Sequence, residues 1–127
     1  MPIHHHMLGS LPTGAERTFV AIANERLGTR TCSVHENVLN PGAIVPWHTH
    51  LVEEVIVCLA GTGECTFDGG VPEAYQHGSV LVVPAHTPHT LRNVGSDRLF
   101  QLAILGGVSA GTVWLEPEGS VDKTSPT

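Results

Sequence analysis

The chain has 127 residues, about one domain's worth, with 41% hydrophobic and 14% charged positions and a formal charge of -6. Its few basic residues form no run, which excludes an electrostatic nucleic-acid surface. The longest apolar runs, such as Val55 to Ala60, are too short to cross a membrane, and no basic stretch followed by an apolar one marks a secretory leader, so a cytoplasmic protein is expected.

Residues 1–16 carry no clear period and read as an N-terminal arm, its His4, His5 and His6 as a tag remnant or solvated tail, or alternatively as a metal-binding tract. Thr18 to Ala23 reads as a first strand and Thr31 to Leu39, which alternates imperfectly, as a second. Asn40-Pro41-Gly42 is a turn, and Ala43 to His50 is a third strand bent by Pro46. Glu54 to Ala60 is rich in valine and isoleucine and predicts a strand. Gly61-Thr62-Gly63 turns the chain into Glu64 to Phe67, and Val71 to Gly78 reads as a polar connection. Val80 to Val83 reads as a buried strand ended by Pro84. Pro88 to Asn93, Leu99 to Leu105 and Thr112 to Leu115 complete the set, and residues 116–127 read as a loose tail. Short strands with turn signals every 8–12 residues, and no sustained 3.6-residue period, predict an all-β sandwich or barrel. Fourteen glycines and nine prolines agree with that.

Three cysteines, Cys32, Cys58 and Cys65, make no metal-type pair and read as reduced thiols. Cys58 and Cys65 could face each other across a hairpin turning at Gly61-Thr62, where a disulfide is the lesser alternative because directly opposed strand positions strain its geometry.

The chemistry concentrates in Trp47-His48-Thr49-His50-Leu51-Val52-Glu53-Glu54. His48 and His50, two apart, project from one face of a strand. Glu54 opens the next strand, and His89 supplies a further imidazole after Pro88. Neutral imidazoles with one carboxylate suit a divalent transition metal, Fe, Mn, Ni, Zn or Cu, better than calcium.

The stretch from Gly42 through His48, His50 and Glu54 to Gly61 resembles the first motif of the cupin family at every spacing. Gly78, Pro84, His86, His89 and Asn93 resemble the second, with His86 standing where the family has glycine. The resemblance implies a small antiparallel jelly-roll (double-stranded β-helix) barrel over residues 17–115. It also implies one metal held by His48, His50, Glu54 and His89. It is nearly silent on the reaction, since the family includes oxygenases, decarboxylases, isomerases, cyclases, lyases and binders that do not catalyse. Glu53 falls on the opposite parity and reads as a solvated carboxylate rather than a fifth ligand. His86 reads as a turn residue with positive φ, a conformation in which histidine is enriched, or alternatively as a pocket group. His77 reads as exposed.

Strand parity extends the site. With Glu54 facing in, so do Ile56 and Cys58; with His89, Leu91; in the late strand, Leu99, Gln101, Ala103 and Leu105. The family register puts Leu39, Asn37, His35 and Ser33 inward, although Val34 and Val38 could equally claim the core and leave His35 and Asn37 on an exposed face. The expected substrate pocket is therefore Asn37, Ile56, Cys58, Leu91, Gln101 and Leu105, with Glu54 and His35 as acid–base candidates. No arginine is clearly aimed at the metal, which argues for a neutral or weakly acidic small-molecule substrate that chelates the ion. The expected activity is metal-dependent oxygenase or other carbonyl and enol chemistry. The alternative is a metal-containing binder or sensor without turnover. The resemblance and the apolar first strand together imply a homodimer.

Overall fold

Eleven strands and one short 3-10 turn make up the computed structural model, which describes residues 3–10 and 14–115 and the backbone of 121–125. The strands are β1 (Arg17–Ala23), β2 (Ser33–Leu39), β3 (Ile44–Thr49), β4 (Glu54–Ala60), β5 (Thr62–Phe67) and β6 (Glu73–Gln76). They continue as β7 (Val80–Val83), β8 (His89–Asn93), β9 (Leu99–Leu105), β10 (Thr112–Leu115) and β11 (Val121–Ser125). One sheet runs β1-β2-β9-β4-β7 and the other β11-β10-β3-β8-β5-β6. Every pairing between described strands is antiparallel. The chain is all-β, with its sheets facing each other over one interior, as the jelly roll requires.

The core between the sheets holds Leu39, Val45, Ile56, Cys58, Cys65, Leu91 and Leu99. β9 throughout and β4 as far as Leu59 alternate between buried and half-buried positions, because both lie inside the first sheet with one face on the core. The three cysteines are free thiols. Gly61 closes the β4–β5 turn at φ +90, and a Cβ there would stand 2.5 Å from the Arg98 carbonyl oxygen. Both the left-handed backbone and the close approach require glycine. His86 has φ 63 and an exposed side chain, so it occupies the turn conformation expected of it.

Three segments differ from the sequence reading. Glu73–Gln76, read as a connection, is a strand on the edge of the second sheet, pairing with β5 and burying only Tyr75. Val80–Val83 is a strand but not a buried one: it is the edge of the first sheet, and Val80 and Val82 are 59% and 57% exposed. Branched residues favour strands at edges as well as in cores, so their run did not report burial. Residues 121–125, read as tail, pair with β10. Residues 116–120 and 126–127 of that tail, and 1–2 and 11–13 of the arm, lie outside the described residues.

On β2 both parities are buried, which resolves the competition between His35 and Val34. Glu36 and Val38 face away from the core, and the arm lies over that side: the Gly9 N–H donates to Glu36 Oε2 at 2.7 Å, and His6 Nε2 stands 3.5 Å from Oε1. His35 and Asn37 face the interior, 3% and 4% exposed. Among the described residues no helix is long and apolar enough to cross a membrane.

Candidate metal centre

Three strands deliver the ligands. His48 lies on β3, and His50 follows just beyond that strand on the same face. His89 begins β8 and is the cross-strand partner of His48. Glu54 begins β4 in the opposite sheet, so the group is pinned from both sides of the barrel. Pro46 supplies no N–H, and the β3–β8 register shifts between Val45 and His48. The resulting bulge turns the Pro46 carbonyl onto His48. The His86 N–H donates to the His50 carbonyl at 2.7 Å and the Leu51 N–H to Ala110 at 2.8 Å, fixing the turn between β3 and β4.

His48, His50, Glu54 and His89 are all buried, and one ligand atom from each falls within 4.8 Å of every other. Each imidazole is anchored through Nδ1. His48 donates to the Pro46 carbonyl at 2.7 Å and His89 to the Thr87 carbonyl at 2.8 Å. His50 Nδ1 lies 2.9 Å from the Thr112 hydroxyl. A carbonyl can only accept, so these contacts put the proton on Nδ1 of His48 and His89 and leave the Nε2 lone pair for the centre. His50 Nε2 and His89 Nε2 stand 3.4 and 3.3 Å from Glu54 Oε1, and none of the three atoms has a hydrogen-bond partner. Lone pairs converging on a carboxylate in a buried site repel one another, and a cation removes that repulsion. Ligands about 2.1 Å from one ion stand ~3 Å apart when cis and ~4.2 Å when trans, so the cluster needs to contract by about half an ångström. The residues therefore fit a divalent transition metal.

Electrostatics prepares the same state. Burial pushes the Glu54 carboxyl up, but hydrogen-bond donation and positive charge from the side of His50 and His89 outweigh it and hold it at about 2, and a cation seated between them would act in the same direction. Burial, with His89 beside it, pushes His48 down to about 3 against the opposing Pro46 hydrogen bond. At neutral pH Glu54 is ionised and His48 neutral, which are the ligand forms.

The ligands open onto a cavity of about 110 Å³ lined by Arg17, Phe19, Asn37, Val45, His48, His50, Glu54, Thr112 and Trp114. Larger hollows, of about 480 Å³ beside β6 and β7 and about 530 Å³ on the outer face of β3 and β8, are lined by none of the four ligands. Of the six residues expected to form the pocket, Asn37 lines the cavity. Ile56, Cys58, Leu91, Gln101 and Leu105 are buried in the interior without reaching it. Parity shows which face a side chain takes, not which part of the interior stays open. Phe19, Asn37, Gln101 and Cys58 form one row across the first sheet, and only its β1–β2 end borders the cavity. Gln101 instead accepts the Tyr75 hydroxyl at 2.9 Å. His35 stands behind the cavity wall, its ring stacked on Phe19 at 4.5 Å and its Nδ1 without a partner. Burial pushes its pKa down.

The absence of an arginine near the metal, expected from the sequence, is overturned. Arg17 pairs with Leu39 across β1 and β2, an inward position, and lines the cavity with its guanidinium 5.7 Å from the Trp114 ring centroid. Parity on the first strand gives that direction only once the pairing of Phe19 with Asn37 is known. Trp114, also unread, reaches the site because β10 sets it opposite His48. Glu53 and His77 are exposed.

Residues 36–105 match the cupin domain family, more than half of the chain, and the protein belongs to that family. The dimethylsulfoniopropionate lyase DddQ of Ruegeria pomeroyi is 32% identical over 82 residues, 63% of this chain and 40% of the lyase. The chain thus spans well under half the length of that curated relative. The crystal structure of DddQ from the same organism aligns with a TM-score of 0.64 at 25% identity, over 72% of this chain and 47% of that one. A double-stranded β-helix protein of Klebsiella pneumoniae aligns at 0.73 and 17% identity, over 84% and 90% of the two chains. The polyketide cyclase RemF of Streptomyces resistomycificus aligns at 0.65 and 22% identity, over 71% and 64%. The last two likenesses speak for the fold alone.

Proposed function

We propose that the protein is a metal-dependent enzyme acting on a small organic substrate that coordinates the metal through oxygen, in oxygenase, lyase or related carbonyl and enol chemistry. The observation that carries this reading is the set of anchored imidazoles whose Nε2 atoms meet Glu54 beside a cavity. A divalent ion bound there supplies Lewis-acid polarisation of a substrate oxygen, and redox chemistry if it is iron or copper. Around an octahedral ion, three imidazoles and one carboxylate would leave two positions for substrate, whereas the same four ligands would close a tetrahedral zinc.

The chain's own residues do the rest. Phe19, Val45 and Trp114 exclude water from the reacting group. Asn37, whose Oδ1 is buried without a partner, offers the substrate a hydrogen bond. Glu54 is the carboxylate in the cavity wall and His35 the neutral imidazole behind Phe19; one of them carries the proton. Relatedness to a lyase supports an enzyme without choosing the reaction.

The test begins with metal analysis of the wild type and a His50→Ala/His89→Ala variant, the wild type binding one ion and the variant none. Protein loaded with Fe, Mn, Ni, Cu or Zn is then screened by mass spectrometry against small enols, diketones and carboxylates. Metal uptake with no turnover for any ion transfers the protein to the second reading, a metal-containing binder. Equal metal in both proteins removes the centre itself.

A further inference from the structure

We infer that the Arg17–Trp114 pair is an anion anchor and that the substrate carries a carboxylate. The inference deepens the proposed function and rests on it in taking the metal cavity as the substrate site.

Arg17 is the one arginine lining the cavity that the ligands share. Among the described residues it has no close ion pair and no hydrogen bond: the neighbouring Glu16 acts on it only through charge at longer range, and its contact is the Trp114 ring. Elsewhere an exposed arginine, Arg92, has found Glu64 at 3.2 Å. Leaving a half-buried guanidinium without an anion forfeits charge-assisted hydrogen bonds that a ligand would restore. An aromatic face holds the guanidinium plane by cation–π attraction and leaves its N–H edge available, where a carboxylate binds through two parallel hydrogen bonds. Trp114 is itself seated, its ring 4.8 Å from that of His48, so the anchor is tied to the metal ligands.

The charge balance favours the same ligand class. A divalent ion with neutral imidazoles and one carboxylate keeps one net positive charge, and Arg17 adds another. Among the described lining residues Glu54 is the only carboxylate, and the ion would already use it. The cavity volume of about 110 Å³ equals roughly four waters at ~30 Å³ each, which suits an acid of a few heavy atoms.

The experiment uses the Trp47→Phe protein, in which Trp114 is the remaining tryptophan. Its emission is followed during titration with sodium propionate and with propionamide, the neutral isostere, at constant ionic strength. Zinc-loaded and metal-free protein are both titrated. Propionate is expected to give a saturable change and propionamide none. Arg17→Lys, which keeps the charge and loses the fork, weakens the response by about tenfold or more, and Arg17→Gln abolishes it. An equal response to the amide, or an unaltered response in Arg17→Lys, overturns the anchor even if Arg17→Gln fails to fold. Failure to take up zinc in equilibrium dialysis sinks the metal reading instead, and the metal-free titration still decides for or against Arg17.

Discussion

The Nδ1 atom of His50 lies 2.9 Å from the hydroxyl of Thr112, 62 residues further along the chain. The contact joins the β3–β4 turn to the start of β10 and sets the orientation of a ring whose other nitrogen faces Glu54. Partners of this kind tune metal affinity as strongly as some direct ligands. Thr112→Val keeps the shape and removes the oxygen. Its affinity for zinc, measured by competition with a chromophoric chelator, is expected to fall by about 10–100-fold. An unchanged affinity would mean that packing alone aims His50.

The metal ligands were legible because the spacing from His48 to Glu54 and the position of His89 are local patterns, and strand parity turns them into one inward group. Arg17 was not, because its direction depends on the register of β1 against β2, and the connection between them, a 3-10 turn capped by Asn24 and Gly28, is too long to fix that register as a tight hairpin would. β6 was missed for another reason: in Glu73-Ala74-Tyr75-Gln76 only Tyr75 is buried, so no alternation announces the strand. The size of the open space was also beyond the sequence. It depends on which inward side chains meet across the barrel, and Ile56, Cys58 and Leu91 belong to one packed core cluster.

Chelated, metal-free protein is expected to lose stability on acidification. His48 is held at about 3 in the fold, below its ordinary 6.5, and Glu54 at about 2, below its ordinary 4.5. Between the folded and ordinary values the unfolded chain takes up the proton and the fold does not. Stability therefore rises with pH through these windows and is lost as pH falls. Between pH 6.5 and 4.5 only His48 of the two contributes, so replacing it by Gln should flatten that part of a Tm-against-pH curve. Parallel curves for the two proteins would show that His48 carries no such linkage.

Gly61 and Gly78 share φ +90 but differ in surroundings: a Cβ on Gly61 meets Arg98 and Leu99 backbone, and one on Gly78 meets nothing within 4 Å. Gly78→Ala therefore carries the backbone strain alone, about 1 kcal/mol. Gly61→Ala adds the displacement of the strand entering β9 and should cost at least ~2 kcal/mol, roughly 8 °C in Tm. Equal melting temperatures for the two variants would show that the turn relaxes freely.

We propose a homodimer in which the free edge of β1 is covered. In the sheet order β1 ends the first sheet, and Val20 on it is 43% exposed. An unprotected edge of this length invites pairing. Light scattering at micromolar concentration should give twice the 13.5 kDa chain mass, and Val20→Lys should halve it. A monomer mass for the wild type sinks the proposal.

The proton carrier is decided by His35. Its ring is buried against Phe19, its Nδ1 has no partner, and burial keeps it neutral at pH 7. Those are the properties of a base held beside a reaction but screened from bulk water. Its position behind Phe19 also suits a purely packing role, and one variant separates the two. His35→Gln preserves polarity and much of the volume while removing the titrating nitrogen. A proton carrier lost in this way costs turnover about 10²-fold with metal content, KM and Tm nearly unchanged. A packing residue lowers Tm and leaves kcat within a few-fold. In that second outcome Glu54, the carboxylate already in the cavity wall, is the group left to move the proton.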